Sequence, residues 1–288
     1  MKKEQKPLEK AFGILFFVCA LTSVLAVGLI CVFLFGSGAE AIREIGLGDF
    51  LLGRRWKPVD VPPSFGILPM ILGSLYVTLG AVIIGVPIGL LTAICLAHFC
   101  PKKLYKVLKP AVELLAGIPS VVYGFFGLVV LVPLVRSHTD GMGVSIFTAS
   151  LLLGIMILPT IVGVGESALQ AVPQSYYEGA LALGATHERA VFFTVLPAAR
   201  SGVLASVVLG IGRAVGETMA VVMVAGNQPR MPKGLFEGVR TLTANIIMEM
   251  GYATGLHREA LIATGVVLFA FILLINFTFF MLKRRMDR

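Results

Sequence analysis

The chain has 288 residues, 57% of them hydrophobic and only 14% charged, with a formal net charge of +8. That balance excludes an ordinary soluble domain. The positive charge gathers at the ends of apolar runs instead of spreading over one face, which excludes a nucleic-acid-binding surface.

Six apolar runs are long enough to cross a bilayer, which takes roughly 20 residues each: 12–35, 69–97, 111–135, 144–168, 201–225 and 259–282. The expected fold is therefore an all-α, polytopic membrane protein of six transmembrane helices. An N-terminal tail, 1–11, precedes a single membrane domain, 12–288. The first run is too long for the apolar core of a signal peptide and lacks a small-residue cleavage site, so it is read as an uncleaved span.

The segment 36–66 balances Arg43, Arg54, Arg55 and Lys57 against Glu40, Glu44, Asp49 and Asp60. Its Trp56 is expected at the lipid headgroup level. Pro87 and Pro159 are expected to bend the second and fourth spans. In the third span, Pro119 removes a backbone donor between Gly117 and Gly124. The freed backbone groups must be satisfied by protein or must line a wet cavity. Ser120 and Tyr123 are accordingly either lining residues of a path or parts of a packed kink. Glu113 and Glu166 sit near span ends and are expected to reach water or to act as caps.

Pro173 ends the fourth helical stretch, and the loop 173–197 follows. Ser175 and Glu178 have the spacing of a capping box, so a helix of two to three turns is expected from Ser175 to Gly184. Gly184 is suited to the left-handed conformation that stops a helix. Such a helix is short, small-sided and apolar, fit for a groove in a partner. Pro197 is expected to open the fifth span.

That fifth span holds Arg213 and Glu217. A charge at the bilayer centre costs about 2.5–3.5 kcal/mol on insertion scales. Four residues apart on a helix, the two are expected to share a face and meet. They form either a structural ion pair or part of an anion path, in which a guanidinium suits a tetrahedral oxyanion. Ser206, Gly210 and Ala214, then Gly212, Gly216 and Ala220, permit close helix approach.

Lysine and arginine set the orientation. Lys2, Lys3, Lys6 and Lys10, then Lys102, Lys103, Lys106 and Lys109, then Arg189 and Arg200, and finally Lys283, Arg284, Arg285 and Arg288 all fall on one side of six spans. That side is expected to be cytoplasmic, with both termini and the loop 173–197. Cys19, Cys31, Cys95 and Cys100 form no CxxC pair, and no second ligand joins Cys95, Cys100 and His98, so no metal is expected. His98, His138, His187 and His257 are read as solvated. No G-x-x-x-x-G-K-[ST] loop occurs, so no nucleotide hydrolysis is expected of this chain.

Glu178-Gly-Ala, three residues, Gly184, nine residues, then Thr194-Val-Leu-Pro resembles the EAA loop of ABC importer permeases. Glu178, Ala180, Gly184, Leu196 and Pro197 fit that pattern, while Gly179 and Thr194 depart from it. The run from Gly212 to Val221, GRAVGETMAV, and the run from Gly117 to Gly124, GIPSVVYG, resemble signatures of the phosphate-specific members, of the C-type subunit more than the A-type. The resemblance implies a permease of the type I ABC importer kind, moving inorganic phosphate by alternating access. In it, Arg213, Glu217, Ser120, Tyr123 and Thr218 would face the substrate pathway. Glu178, Gly179, Ala180, Gly184, Leu196 and Pro197 would dock an ATPase. It also implies a second homologous permease forming a heterodimer, two cytoplasmic ATPase subunits that carry the ATP and Mg, and an extracytoplasmic phosphate-binding protein. The chain itself would carry no cofactor and perform no catalysis, in a bacterial inner membrane. The alternatives are an ABC permease for sulfate, molybdate or phosphonate, and a gradient-driven secondary anion transporter.

Overall fold

A computed structural model describes residues 7–286; Lys2, Lys3, Lys6 and Arg288 lie outside the described residues, as do the side chains of Lys283 and Arg285. The first helix, α1 (Pro7–Ile45), runs for 39 residues, roughly 58 Å at 1.5 Å per residue. It takes in the end of the expected tail and part of the loop beyond the first apolar run. A short α2 (Leu47–Leu52) and a two-stranded antiparallel hairpin follow, β1 (Trp56–Lys57) pairing with β2 (Ser64–Phe65). At the tip of the hairpin Val59 is 80% and Val61 98% exposed.

Next come α3 (Leu68–Ile94), extended by a π-helical turn to Phe99, and α4 (Lys102–Gly117). Helix α5 (Ser120–Phe126) continues through a π turn into α6 (Val132–His138), and α7 (Ile146–Gln170) follows. The docking-loop region is α8 (Gln174–Ala182), α9 (His187–Ala190), a π turn and α10 (Leu196–Ala198). The remainder is α11 (Arg200–Gly216), α12 (Met219–Val224), α13 (Leu242–Glu249) and α14 (Gly255–Met286).

Among the described residues five helices are long and apolar enough to span a membrane. A sixth is counted if the stretch His187–Ala198 and α11, which meet at a bend of 73°, form one span. The third expected span is corrected. It does not run unbroken over 111–135: α4 stops at Gly117, Ile118 and Pro119 are extended, and the apolar helix begins at Ser120. The missing N–H of Pro119 and its fixed φ make it a helix start, not a passenger inside one. Pro87 and Pro159, by contrast, sit inside α3 and α7 without interrupting either.

Helix α7 is the centre of the bundle. Of its most apolar stretch 67% is buried, against 0% for α1 and 22% for α14. It lies parallel to α3: Gly80 meets Ser150, Gly85 meets Gly154, and Gly89 meets Ile161. A Cβ at Gly85 would sit 2.7 Å from both the Gly154 carbonyl oxygen and the Ile157 side chain, so the approach requires hydrogen there. Helix α11 runs antiparallel to α7, with Gly202 against Ala168 and Gly210 against Ile161. Helices α1 and α14 are also antiparallel, Gly38 meeting Ala263 and Phe35 meeting Phe269. These registers put both ends of the described chain, the basic helix α4 and the docking segment α8 at one end of the bundle. The β-hairpin and α13 lie at the other.

Candidate functional site: a helix break at depth and a docking segment

Helix α11 ends at Gly216, and Glu217 leaves it with extended backbone (φ −69, ψ 130). The carboxylate of Glu217 then turns forward. Its Oε1 accepts from the backbone N–H groups of Thr218 at 3.1 Å and Ala220 at 3.2 Å. These are orphan donors at the start of α12, and a negative charge there also suits the helix dipole. The expected meeting of Arg213 and Glu217 on one helix face is therefore corrected: the helix stops between them. Arg213 instead donates from Nη1 to Thr160 Oγ1 on α7 at 3.4 Å. Among the described residues it forms no ion pair. A guanidinium has five N–H donors, and one long bond to a hydroxyl leaves most of them for another acceptor.

Two sequence runs remote from one another, 117–124 and 212–221, meet at this break. Gly124 of α5 lies against Ala220 and Met223 of α12, where a Cβ would fall 3.0 Å from the Ala220 Cα and 2.7 Å from the Met223 sulfur. Tyr123 is buried, and its hydroxyl donates to the Leu115 carbonyl at 2.8 Å. That bond gives a second donor to a carbonyl in the last turn of α4, which also accepts from the Ile118 N–H at 3.4 Å, so Tyr123 serves the break. Ser120 is half-buried at the first position of α5. Thr218 donates its hydroxyl to the Gly216 carbonyl at 3.2 Å. Of the two small-residue stripes on α11, Ser206, Gly210 and Ala214 are buried, whereas Gly212 and Gly216 face open space. Thr160 and Thr243, whose hydroxyl donates to the Glu217 carbonyl at 3.2 Å, were not legible as site residues. Single threonines in apolar runs carry no pattern.

The docking segment is built differently from its expected cap. Helix α8 starts at Gln174 behind Pro173, and Ser175 makes no capping bond; the proline opens the helix in its place. The C-terminal expectation is met: Gly184 has φ +86. Gly184 N–H reaches the Leu181 carbonyl and Ala185 N–H the Ala180 carbonyl, the paired bonds of a Schellman stop. Glu178 and Gly179 are exposed and Ala180 is half-buried, and Leu183 is 91% exposed, so α8 presents an uncovered apolar edge. The Tyr177 hydroxyl and His187 Nδ1 lie 2.7 Å apart, and the His98 ring stacks on Tyr177. Leu196 and Pro197 do not open the span; they form α10, on the near side of the 73° bend.

Residues 85–288 match the family of binding-protein-dependent transport system inner membrane components. The chain belongs to that family. It is 40% identical over 268 residues to the probable ABC transporter permease protein YqgH of Bacillus subtilis, covering 90% of this chain and 87% of that protein. It is 38% identical over 250 residues to the phosphate transport system permease protein PstC of Haemophilus influenzae, covering 80% and 78%. Among solved structures, a chain of a bacterial alginate ABC transporter superposes with a TM-score of 0.65 at 17% identity, covering 98% of this chain and 99% of that one. A chain of the inward-facing MetNI methionine ABC transporter gives 0.62 at 22%, covering 77% and 96%. The fold is that of an ABC importer permease, and the chain is a multi-pass inner-membrane component.

In this family member two buried carboxylates stand at opposite ends of the bundle. Glu166 of α7 is 1% exposed, not water-facing as expected. It accepts from the Tyr105 hydroxyl at 2.7 Å, Lys109 Nζ at 2.7 Å and Gln170 Nε2 at 3.0 Å. The bond to Glu166 pushes the Lys109 ammonium up from its usual range, against the opposing effect of burial, and raises the Tyr105 phenol likewise. At the other end, Glu249 accepts from Trp56 Nε1 and His257 Nε2, each at 2.8 Å, and from Arg240. Trp56 is thus 4% exposed and packed inside the fold, because its indole N–H has found a buried acceptor. His257 is likewise not solvated. Among the described residues no cluster of three or more metal-binding side chains occurs.

Proposed function

We propose that this chain is the C-type permease subunit of an ATP-driven importer of inorganic phosphate, working by alternating access. The observation that carries the reading is the helix break at Glu217. It leaves Arg213 at depth without an acidic partner and beside the open faces of Gly212 and Gly216. The name of the Haemophilus influenzae relative supplies the cargo.

The roles follow from the chemistry of the side chains. Arg213 is the fixed cation for a tetrahedral oxyanion. Glu217 holds the start of α12 and can receive a hydrogen bond from a protonated oxyanion; Ser120 and Thr218 lie at the same break, with Tyr123 bracing it. Inorganic phosphate carries roughly between one and two charges near neutral pH, as a phosphate monoester does. One arginine does not balance that, so a second basic group comes from a homologous permease packed on the open face of α11. The Lys and Arg distribution puts α8 and both termini in the cytoplasm. There α8 engages one of two ATPase subunits that bind the ATP and Mg, and an extracytoplasmic binding protein delivers phosphate from the other side. This chain performs no covalent chemistry and holds no cofactor.

The test is uptake by the purified complex in vesicles. Labelled phosphate should enter only when ATP is present on the α8 side, and unlabelled phosphate should compete far better than sulfate. Uptake by this chain without an ATPase, or equal competition by sulfate, would overturn the assignment.

A further inference from the structure

Helix α4 is attached to the bundle in an unusual way. Among the described residues none of its side chains is buried. Its apolar Leu104, Val107 and Leu114 are 47%, 65% and 73% exposed, while its polar Tyr105 and Lys109 turn inward to Glu166. At its far end Val112 and Leu115 are only half-buried, and the Leu115 carbonyl accepts a bond from Tyr123. A helix seated by apolar packing cannot leave without opening a void. One seated by a directional polar cluster can, because the cluster is either made or not.

The surroundings of α4 suit movement. Its C-terminal joint is Gly117-Ile118-Pro119, where Gly117 has nothing within 4 Å of a would-be Cβ. A cleft of 620 Å³ lies beside the joint, lined by Pro110, Glu113, Gly117 and Pro119 among others. The cluster also borders the docking segment. Gln170, which donates to Glu166, is the last residue of α7, and α8 begins at Gln174. A pull on α8 therefore acts on the turn that carries the cluster. Beyond the joint, α5 packs on α12, whose start Glu217 caps.

We propose that Glu166 is a positioning residue that latches α4 to α7, and that displacement of α8 releases this latch and so couples the docking segment to the helix break at Arg213. The proposal rests on the functional reading above. It supplies the discrete two-state element that a coupling route requires.

The test uses the complete complex with Cys19, Cys31, Cys95 and Cys100 replaced by alanine and Val107→Cys as a probe. Labelling of that thiol by a membrane-impermeant maleimide needs no cargo, so it separates this proposal from the identity of the substrate. In the parent complex labelling should change severalfold between the nucleotide-free and ATP-bound states. With Glu166→Gln it should be nearly independent of ATP, while ATP hydrolysis continues and phosphate moved per ATP falls severalfold. The swap Lys109→Glu with Glu166→Lys should restore the ATP response. If Glu166→Gln fails to assemble, Lys109→Met carries the same expectation. A purely structural role would lower the amount of complex but leave the phosphate-to-ATP ratio and the ATP response of labelling unchanged; that result, or a parent complex whose labelling ignores ATP, overturns the latch. Loss of phosphate uptake in the parent with ATP-dependent labelling intact would count against the cargo and for the latch.

Discussion

Glu166 and Glu249 are alike in chemistry and opposite in setting. Each is a buried carboxylate with three donors, some near in sequence (Gln170 for Glu166, Arg240 and His257 for Glu249) and some remote (Tyr105 and Lys109, and Trp56). Behind Glu249 stands a packed apolar cluster that includes Trp56, Phe65, Met70, Leu242 and Leu261. Its arginine is also pinned, Arg240 reaching the Asn227 carbonyl and the Asn245 side chain, each at 3.0 Å. Behind Lys109 and Tyr105 stands a helix with no fully buried side chain, its Val112 and Leu115 only half-buried. The same acid thus fastens a well-packed element at one end of the bundle and a thinly packed one at the other.

The largest effect should come from breaking the rigid end. Glu249→Ala leaves Arg240 buried without its counter-charge, a loss of about 3–5 kcal/mol, read as a fall in the thermal unfolding midpoint or as failure to assemble. Arg213, between the two acids and paired with neither, should behave in the reverse way. Arg213→Gln should keep the unfolding midpoint but cut phosphate uptake by roughly 10- to 100-fold, the value of one charge-assisted hydrogen bond at about 1.5–3 kcal/mol. Trp56→Phe keeps the ring and removes one donor to Glu249, so it should destabilise by about 1–3 kcal/mol with little change in uptake per folded complex.

The loose end can be probed with pH. The Lys109 pKa is raised in the folded chain, so its contribution is fully present below the unfolded lysine value, roughly 10.4. It is lost only as pH climbs through the higher folded value. The stability lost on Lys109→Met, read as a shift in the unfolding midpoint, should therefore be constant across neutral pH and shrink only in strong alkali. The smallest effect is expected at Glu178, which is exposed and has no capping role. Glu178→Ala should shift stability by no more than about 0.5 kcal/mol while weakening ATPase coupling, measured as ATP hydrolysed per phosphate moved.

Much of the architecture was readable from hydropathy, because apolar runs of spanning length are hard to place anywhere but a membrane. The stop at Gly184 was readable too, since a left-handed C-cap favours glycine. What escaped depended on contacts remote in sequence. Nothing near Trp56 announces an acceptor 193 residues away. Spacing alone made Arg213 and Glu217 neighbours, and only the packing of Thr243 and α5 around the break shows why the helix ends before the glutamate. The capping box at Ser175 failed for a local reason: Pro173 already starts the helix.

The placement of the β-hairpin has a practical side. Because Pro7 and Met286, the ends of the described chain, lie on the face that carries α8, a purification tag or fluorescent protein fused to either terminus would start from the surface proposed for the ATPase. The exposed tip around Val59 and Val61, braced from beneath by Trp56 and Phe65, points away from that face. An epitope placed there should let an antibody fragment hold the molecule for imaging while leaving the α8 face clear.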